Sequence, residues 1–149
     1  LTSIDAVQNK ILSDFSRLGA NTFAIMNKNS RGHRQGKAEK SYPGIDYREA
    51  ISFKNNYQFP ALTSVSTRVS FASTIKHKNN KTNPNVAVIS GDENYLTTTG
   101  YDLEQGRNFS AADVQHGLNA AIIGKDIVDK IFSPGENPMG TSIFLGGLK

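Results

Sequence analysis

The chain has 149 residues, no cysteine and a formal net charge of +4. That length supports one domain or two small lobes, and a folded chain of this size buries roughly 70% of the surface its unfolded form exposes. The composition excludes a disulfide framework and thiolate metal sites, no run approaches the ~18 apolar residues of a membrane span, and no signal peptide is visible.

Thr2 or Ser3 caps a first helix, with Asp5 in its first turn at the positive end of the dipole. Ile4, Val7, Ile11, Phe15 and Leu18 form one apolar stripe, and Gly19 is the expected left-handed residue past its end. Asn21 to Met26 is predicted to be a strand with Phe23 and Ile25 on one face. The chain starts at Leu1, one residue before a cap and without a Met, which reads as a piece cut from a longer protein.

Lys28 to Tyr42 lacks periodicity and is predicted to be a solvated loop. Its cations Lys28, Arg31, Arg34, Lys37 and Lys40, with His33 among them, are opposed only by Glu39. The sharper reading makes those cations a contact for an acidic partner or anionic headgroups. No aromatic precedes Tyr42 to stack a base, so nucleic acid is not an expected partner.

Asp46 caps a helix from Tyr47 to about Asn55, with Tyr47, Ala50, Ile51 and Lys54 toward the core. Val65 to Lys76 is the clearest strand, with Val65, Val69, Phe71 and Ile75 on the buried face. His77 to Pro84 is a polar turn of the hairpin type, and Val86 to Ile89 returns antiparallel. This second strand is apolar on both faces, which predicts a central place in the sheet.

Gly91 to Asn94 turns into a short helix carrying Tyr95 and Leu96, and Gln105-Gly106 is a turn in the extended stretch Leu103 to Phe109. Ser110 with Asp113 three residues on is a helix-start signal. Ala120 to Ile123 is predicted as a short buried strand ended by Gly124. A helix from Lys125 to Ile131 then turns Ile127, Val128 and Ile131 inward and closes at Phe132. Pro134-Gly135 and Asn137-Pro138 are turns, and Ser142 to Leu145 is a last strand. Gly146-Gly147 reads as a hairpin turn whose partner strand would lie past Lys149. The fold class is therefore α+β: a mixed or antiparallel sheet with helices on one face, one domain over 1–149 and a lobe boundary near residue 91.

No catalytic constellation accompanies these elements. The three histidines, His33, His77 and His116, have no metal spacing, and the phosphate-cradling and nucleophile-elbow motifs are missing. Asp92-Glu93 and Asp102 with Glu104 are expected to cap backbone N–H groups, and Arg107 to pair with Asp102 or Asp113. No catalytic residue, metal or cofactor is expected, which leaves a binding or sensing module and a mechanical or scaffold element.

The order of turns narrows this choice. Gly91-Asp92, Tyr95-Leu96, Gly100, Leu103, Gly106-Arg107, Phe109, Asp113, Ala121 to Gly124, Phe132, Asn137-Pro138, Gly140 and Ile143 follow in sequence. This set resembles the periplasmic core domain of MacB-type ABC transporter permeases, in the MacB/LolCDE/FtsX superfamily. Leu18-Gly19-Ala20-Asn21 resembles the family's start, while roughly Asn27 to Pro60 carries no family motif. The resemblance marks Gly19, Tyr95, Leu96, Gly106, Arg107, Phe109, Asp113, Gly124, Phe132, Pro138 and Gly140 as structural positions.

The resemblance implies a permease of the inner (cytoplasmic) membrane with this domain on the periplasmic or extracellular side. It implies partners too: the protein's own transmembrane helices, a cytoplasmic ATPase domain or subunit, and a second subunit in a homodimer or heterodimer. A periplasmic adaptor and an outer-membrane channel are further implied partners, and the domain itself would act as lever and docking surface without catalysis. In the family the last strand continues into another strand and lobe, so the ending at Lys149 implies a truncated piece with an exposed sheet edge. The alternative from another class is a ligand-sensing extracytoplasmic domain of a membrane receptor, which needs an enclosed pocket of about 300 Å³ or more.

Overall fold

The computed structural model describes residues 22–27 and 43–146. The apolar stripe of the first helix, Gly19, the basic loop Lys28 to Lys40 and Gly147 lie outside the described residues. Within them the chain forms α1 (Tyr47–Asn56), β1 (Ser66–His77), β2 (Asn80–Lys81), β3 (Val86–Gly91), α2 (Tyr95–Thr99), α3 (Ala111–His116), α4 (Lys125–Ile131) and β4 (Phe144–Gly146). This is the expected α+β class, with a sheet that is antiparallel throughout.

All three other strands bond to β1. Lys76 is in register with both Lys81 of β2 and Phe144 of β4, so β1 is central there. β3 pairs with β1 from Ser66↔Gly91 to Ser73↔Val86, with register shifts after Arg68 and after Ser70. The hairpin tip is Lys78-Asn79, between the register pair His77 and Asn80. Beyond the tip, the Thr82 hydroxyl accepts the Ile75 N–H at 3.0 Å and so satisfies a buried donor where β2 stops.

The helices start where their caps dictate. Asp46 accepts the Glu49 N–H at 2.8 Å while Glu49 accepts the Asp46 N–H at 3.0 Å, closing a capping box before α1. α4 has no side-chain cap at Gly124, but Asp126 in its first turn and Lys130 in its last complement the dipole. Its stripe of Ile127, Val128 and Ile131 packs on the C-terminal half of β1. Ile75, Ile131 and Phe132 are the buried core, with Val86, Ile123, Ile127, Val128 and Ile143 against it. Full burial of a side chain such as Ile131 contributes about 1.5–3 kcal/mol, so α4 and β1 hold each other.

Five expectations change, the first being Tyr47 of α1, expected toward the core but exposed to solvent. The face of β1 that is buried is Ser73, Ile75 and His77, while Val69 and Phe71 are exposed; the register shifts break the simple alternation, and Arg68 lies 4.4 Å over the Phe71 ring. β3 is not central, because among the described residues it pairs with β1 alone. Residues 22–27 and 120–123 form no strand: their apolar residues have no ladder partner among the described residues. Phe23 and Ile25 are exposed, whereas Ile123 joins the core edge without a ladder. Gly146 lies in the β4 ladder opposite Thr74 and is not a turn residue.

Candidate functional site

Three polar braces join the described turns, and some of the motif residues take part in them. The first gathers around Asp92, a buried carboxylate just past β3. Its oxygens accept from the Lys54 Nζ at 2.7 Å, the Ser64 hydroxyl at 2.7 Å, the Val65 N–H at 2.7 Å and the Asn94 N–H at 3.1 Å. Lys54 also donates to Glu93 at 2.6 Å, which ties α1 to the turn before α2. Burial pushes the Asp92 carboxyl up, but the Lys54 ammonium, the Val65 N–H and the Ser64 hydroxyl outweigh it and hold the group below its ordinary range. Lys54 shows the mirror image: burial lowers it, the two carboxylates raise it, and the net direction is up.

The expected capping role of Asp92 is therefore real but incomplete: it is also an ion-pair partner. Asn94 extends the brace by donating its amide to the Thr63 carbonyl at 2.9 Å, and Asn108 donates to the Glu93 carbonyl at 2.7 Å. Gly91 makes the turn possible, since a Cβ there would sit 2.7 Å from the Tyr95 ring. Tyr95 and Leu96 lie half-buried on α2, as expected.

The second brace is Arg107 with Asp113. Of the two carboxylates expected for Arg107, the structure selects Asp113, at 2.5 and 3.3 Å. Asp113 at the same time accepts the Ser110 N–H at 2.9 Å, and its own N–H goes to the Ser110 hydroxyl at 3.1 Å. Bonding to Arg107 first, then to Ser110, holds the Asp113 carboxyl well below the usual carboxylate range. Phe109, between these partners, is half-buried.

The third brace closes the hairpin tip. His77, read from sequence as a loop residue, is buried at the end of β1 and stacks on Phe132 with 4.3 Å between ring centroids. Its Nδ1 lies 3.1 Å from the Ser142 carbonyl oxygen and its Nε2 lies 3.0 Å from Glu136 Oε1. Lys78 donates to the same Glu136 oxygen at 2.5 Å, and Asn80 donates to the Ile131 carbonyl at 3.1 Å. Extending the β1 alternation two residues past Ile75 places His77 on the inner face, and that is the signal for it in the sequence. Nothing in the sequence marks Lys54 as the partner of Asp92 or Glu136 as that of His77, because the contacts span 38 and 59 residues.

Gly106 lies against Met139, the residue after Pro138. Gly106 has φ of 87°, and a Cβ there would lie 2.6 Å from the Met139 Cε, so the turn needs glycine for conformation and for space. Gly140 also has a left-handed φ, of 70°, while Gly124 has an ordinary φ and serves as the cap of α4. Two surface depressions, of about 500 Å³ beside Gly124 and Lys125 and about 520 Å³ beside Gln105 and Met139, are open to solvent. Neither is the enclosed pocket that ligand sensing requires. Among the described residues no cluster of His, Asp or Glu has metal-site geometry, and no helix is long and apolar enough to cross a membrane.

A family model described as the MacB-like periplasmic core domain matches residues 1–149. The chain is 27% identical over 141 residues to the macrolide export ATP-binding/permease protein MacB of Pectobacterium atrosepticum, covering 95% of this chain and 20% of that protein. It is 26% identical over 141 residues to the protein of the same name from Acinetobacter baylyi, with the same coverage of 95% and 20%. Against that of Neisseria gonorrhoeae it is 29% identical over 136 residues, 91% of this chain and 20% of the relative. The chain thus spans about a fifth of the length of the curated relatives it matches. No solved structure matches it.

Proposed function

This chain belongs to the MacB-like periplasmic core domain family, and on that premise we propose that it is the extracytoplasmic lever of an ABC transporter permease. In this reading a cytoplasmic ATPase domain or subunit drives motion through the protein's transmembrane helices. The domain carries that motion outside the membrane, for efflux or export, and docks a periplasmic adaptor and outer-membrane channel. It works beside a second subunit, and it holds no catalytic residue of its own. The observation that carries the reading is the family match over the whole chain, with relatives named as ATP-binding permeases.

The braces support a lever in physical terms. A part that transmits displacement needs turns that do not yield, and polar contacts of fixed geometry stiffen turns more specifically than apolar ones. Arg107–Asp113 and Lys54–Asp92 each join segments that the ladder does not.

The test uses the full-length protein with a spin label at the exposed Tyr101. The distance between labels on the two copies is measured with and without a non-hydrolysable ATP analogue. A lever shifts the distance distribution, and an unchanged distribution removes the coupling reading. A D92N variant sharpens it: ATP hydrolysis is expected to persist while export falls.

A further inference from the structure

We propose that the open face of the sheet is a docking surface for an acidic amphipathic helix of a partner protein. Residues paired across strands share a face of the sheet. Ser73 and its register partner Val86 lie with Ile75 and His77 on the face that α4 and Phe132 cover. Alternation along β3 then puts Ile89, and with it Arg68, on the opposite face. Alternation past Ile75 puts Lys76 there too, with its two register partners Lys81 and Phe144. All five are exposed, and so is Phe71, whose ring lies 4.4 Å from the Arg68 guanidinium.

Two features set this face apart from an ordinary wet one. An antiparallel sheet that leaves one face to water normally carries polar residues there, whereas Phe71 and Phe144 are 69% and 71% exposed. The second feature is charge. The sequence has no Asp or Glu from Ala50 to Gly91. Among the described residues, Arg68, Lys76 and Lys81 have no ion-pair partner. Lys76 and Lys81 face each other in register, a like-charge pair that costs a sheet stability. A carboxylate laid between them offsets that repulsion. The occupant that complements this face is therefore anionic and apolar at once.

Its shape follows from the layer that is missing. α4 covers one face of the sheet, and a helix is the element that packs on the other in a layered α+β fold. β1 rises roughly 3.3 Å per residue, so Arg68 and Lys76 stand up to about 25 Å apart. A helix rising about 1.5 Å per residue spans that distance with about 17 residues. Carboxylates near its two ends meet Arg68 and the Lys76–Lys81 pair, and its apolar stripe meets Phe71 and Phe144. A lipid surface suits the row less well. Strands twist, so a flat layer reaches one end of the row while a helix lying along it reaches both. The inference rests on the sheet alone and stands apart from the transport reading.

The test uses the full-length protein in nanodiscs of neutral lipid. The probe is a fluorescent synthetic helix of about 17 residues with a leucine stripe and glutamates at both ends. A second probe carries lysines in place of the glutamates. By fluorescence anisotropy the wild type binds the acidic helix about tenfold more tightly than the basic one. R68E/K76E/K81E reverses that order, and R68Q/K76Q/K81Q abolishes the preference, which serves if the reversal does not fold. F71S/F144S weakens the acidic helix by about tenfold and keeps the preference, which separates the apolar contact from the charge. No binding to the wild type, equal binding of the two probes, or a preference unmoved by the charge variants overturns the proposal. So does an unchanged affinity in F71S/F144S, which leaves a charge effect without a docking face. Vesicles of anionic lipid that displace the acidic helix better than unlabelled helix of equal total charge assign the face to a membrane, and overturn it as well.

Discussion

β1 is held at its two ends by different means. At Ser66 it abuts the Asp92 brace, where a buried carboxylate collects an ammonium, a hydroxyl and two backbone N–H groups. At Ile75 it is held by apolar contact with Ile131 and Phe132, and only its last residue, His77, turns to polar partners. The apolar contacts of that end gain from area removed from water and carry no charge of their own. The ionic end depends on ionised partners and fixed distances, so removing one partner leaves another stranded. A strand anchored in both ways keeps one end when the other yields.

The largest expected effect falls on the apolar end. Ile131→Ala removes a fully buried side chain and destabilises by about 3–4 kcal/mol, read as a shift of the urea midpoint. A loss under about 1 kcal/mol would mean that α4 does not carry the core. Asp92→Ala should follow at about 3 kcal/mol, because Lys54, Ser64 and Val65 lose a shared acceptor. If it matched Ile131→Ala in midpoint but left exchange near Val65 unchanged, the division between the ends would fail.

Gly106→Ala tests a turn away from both ends. It meets a left-handed φ and the Met139 side chain, and is expected to cost about 2 kcal/mol by thermal melting. Adding Met139→Ala should restore part of that loss if crowding contributes, and none if the backbone alone is at fault.

The smallest effect is a pH dependence. Glu136 is held down at about 2 by Lys78 first, then by Ser133 and His77. Its contribution is therefore present above the ordinary carboxylate pKa of about 4.3 and is lost as pH falls through about 2. Stability of wild type and Glu136→Gln, followed by acid titration, should converge at the acid end. Asp92 follows the same sign, since its carboxyl is also held below its ordinary range.

Local chemistry was legible wherever the partners are near in sequence. The caps at Asp46 and Ser110, the helix Lys125–Ile131 with its inward Ile127, Val128 and Ile131, and the pairing of Arg107 with one of two nearby carboxylates all involve residues within a few turns. The residues that were misread are those whose meaning comes from afar. Val69 and Phe71 lie where β1 slips register against β3, and both are exposed. His77 looks like a loop residue until Phe132 and Glu136 are brought against it.

By itself, then, the sequence determined where helices begin and turns fall, and through the order of those turns the MacB-like periplasmic core domain family. These are short-range matters of caps, dihedral preferences and hydrophobic period. Only the tertiary structure decided which strand is central, which carboxylate meets Lys54, and that a histidine closes the hairpin tip. The physical reason is that burial and ion pairing depend on distance in space, and one register slip moves a side chain from core to solvent without altering any local preference.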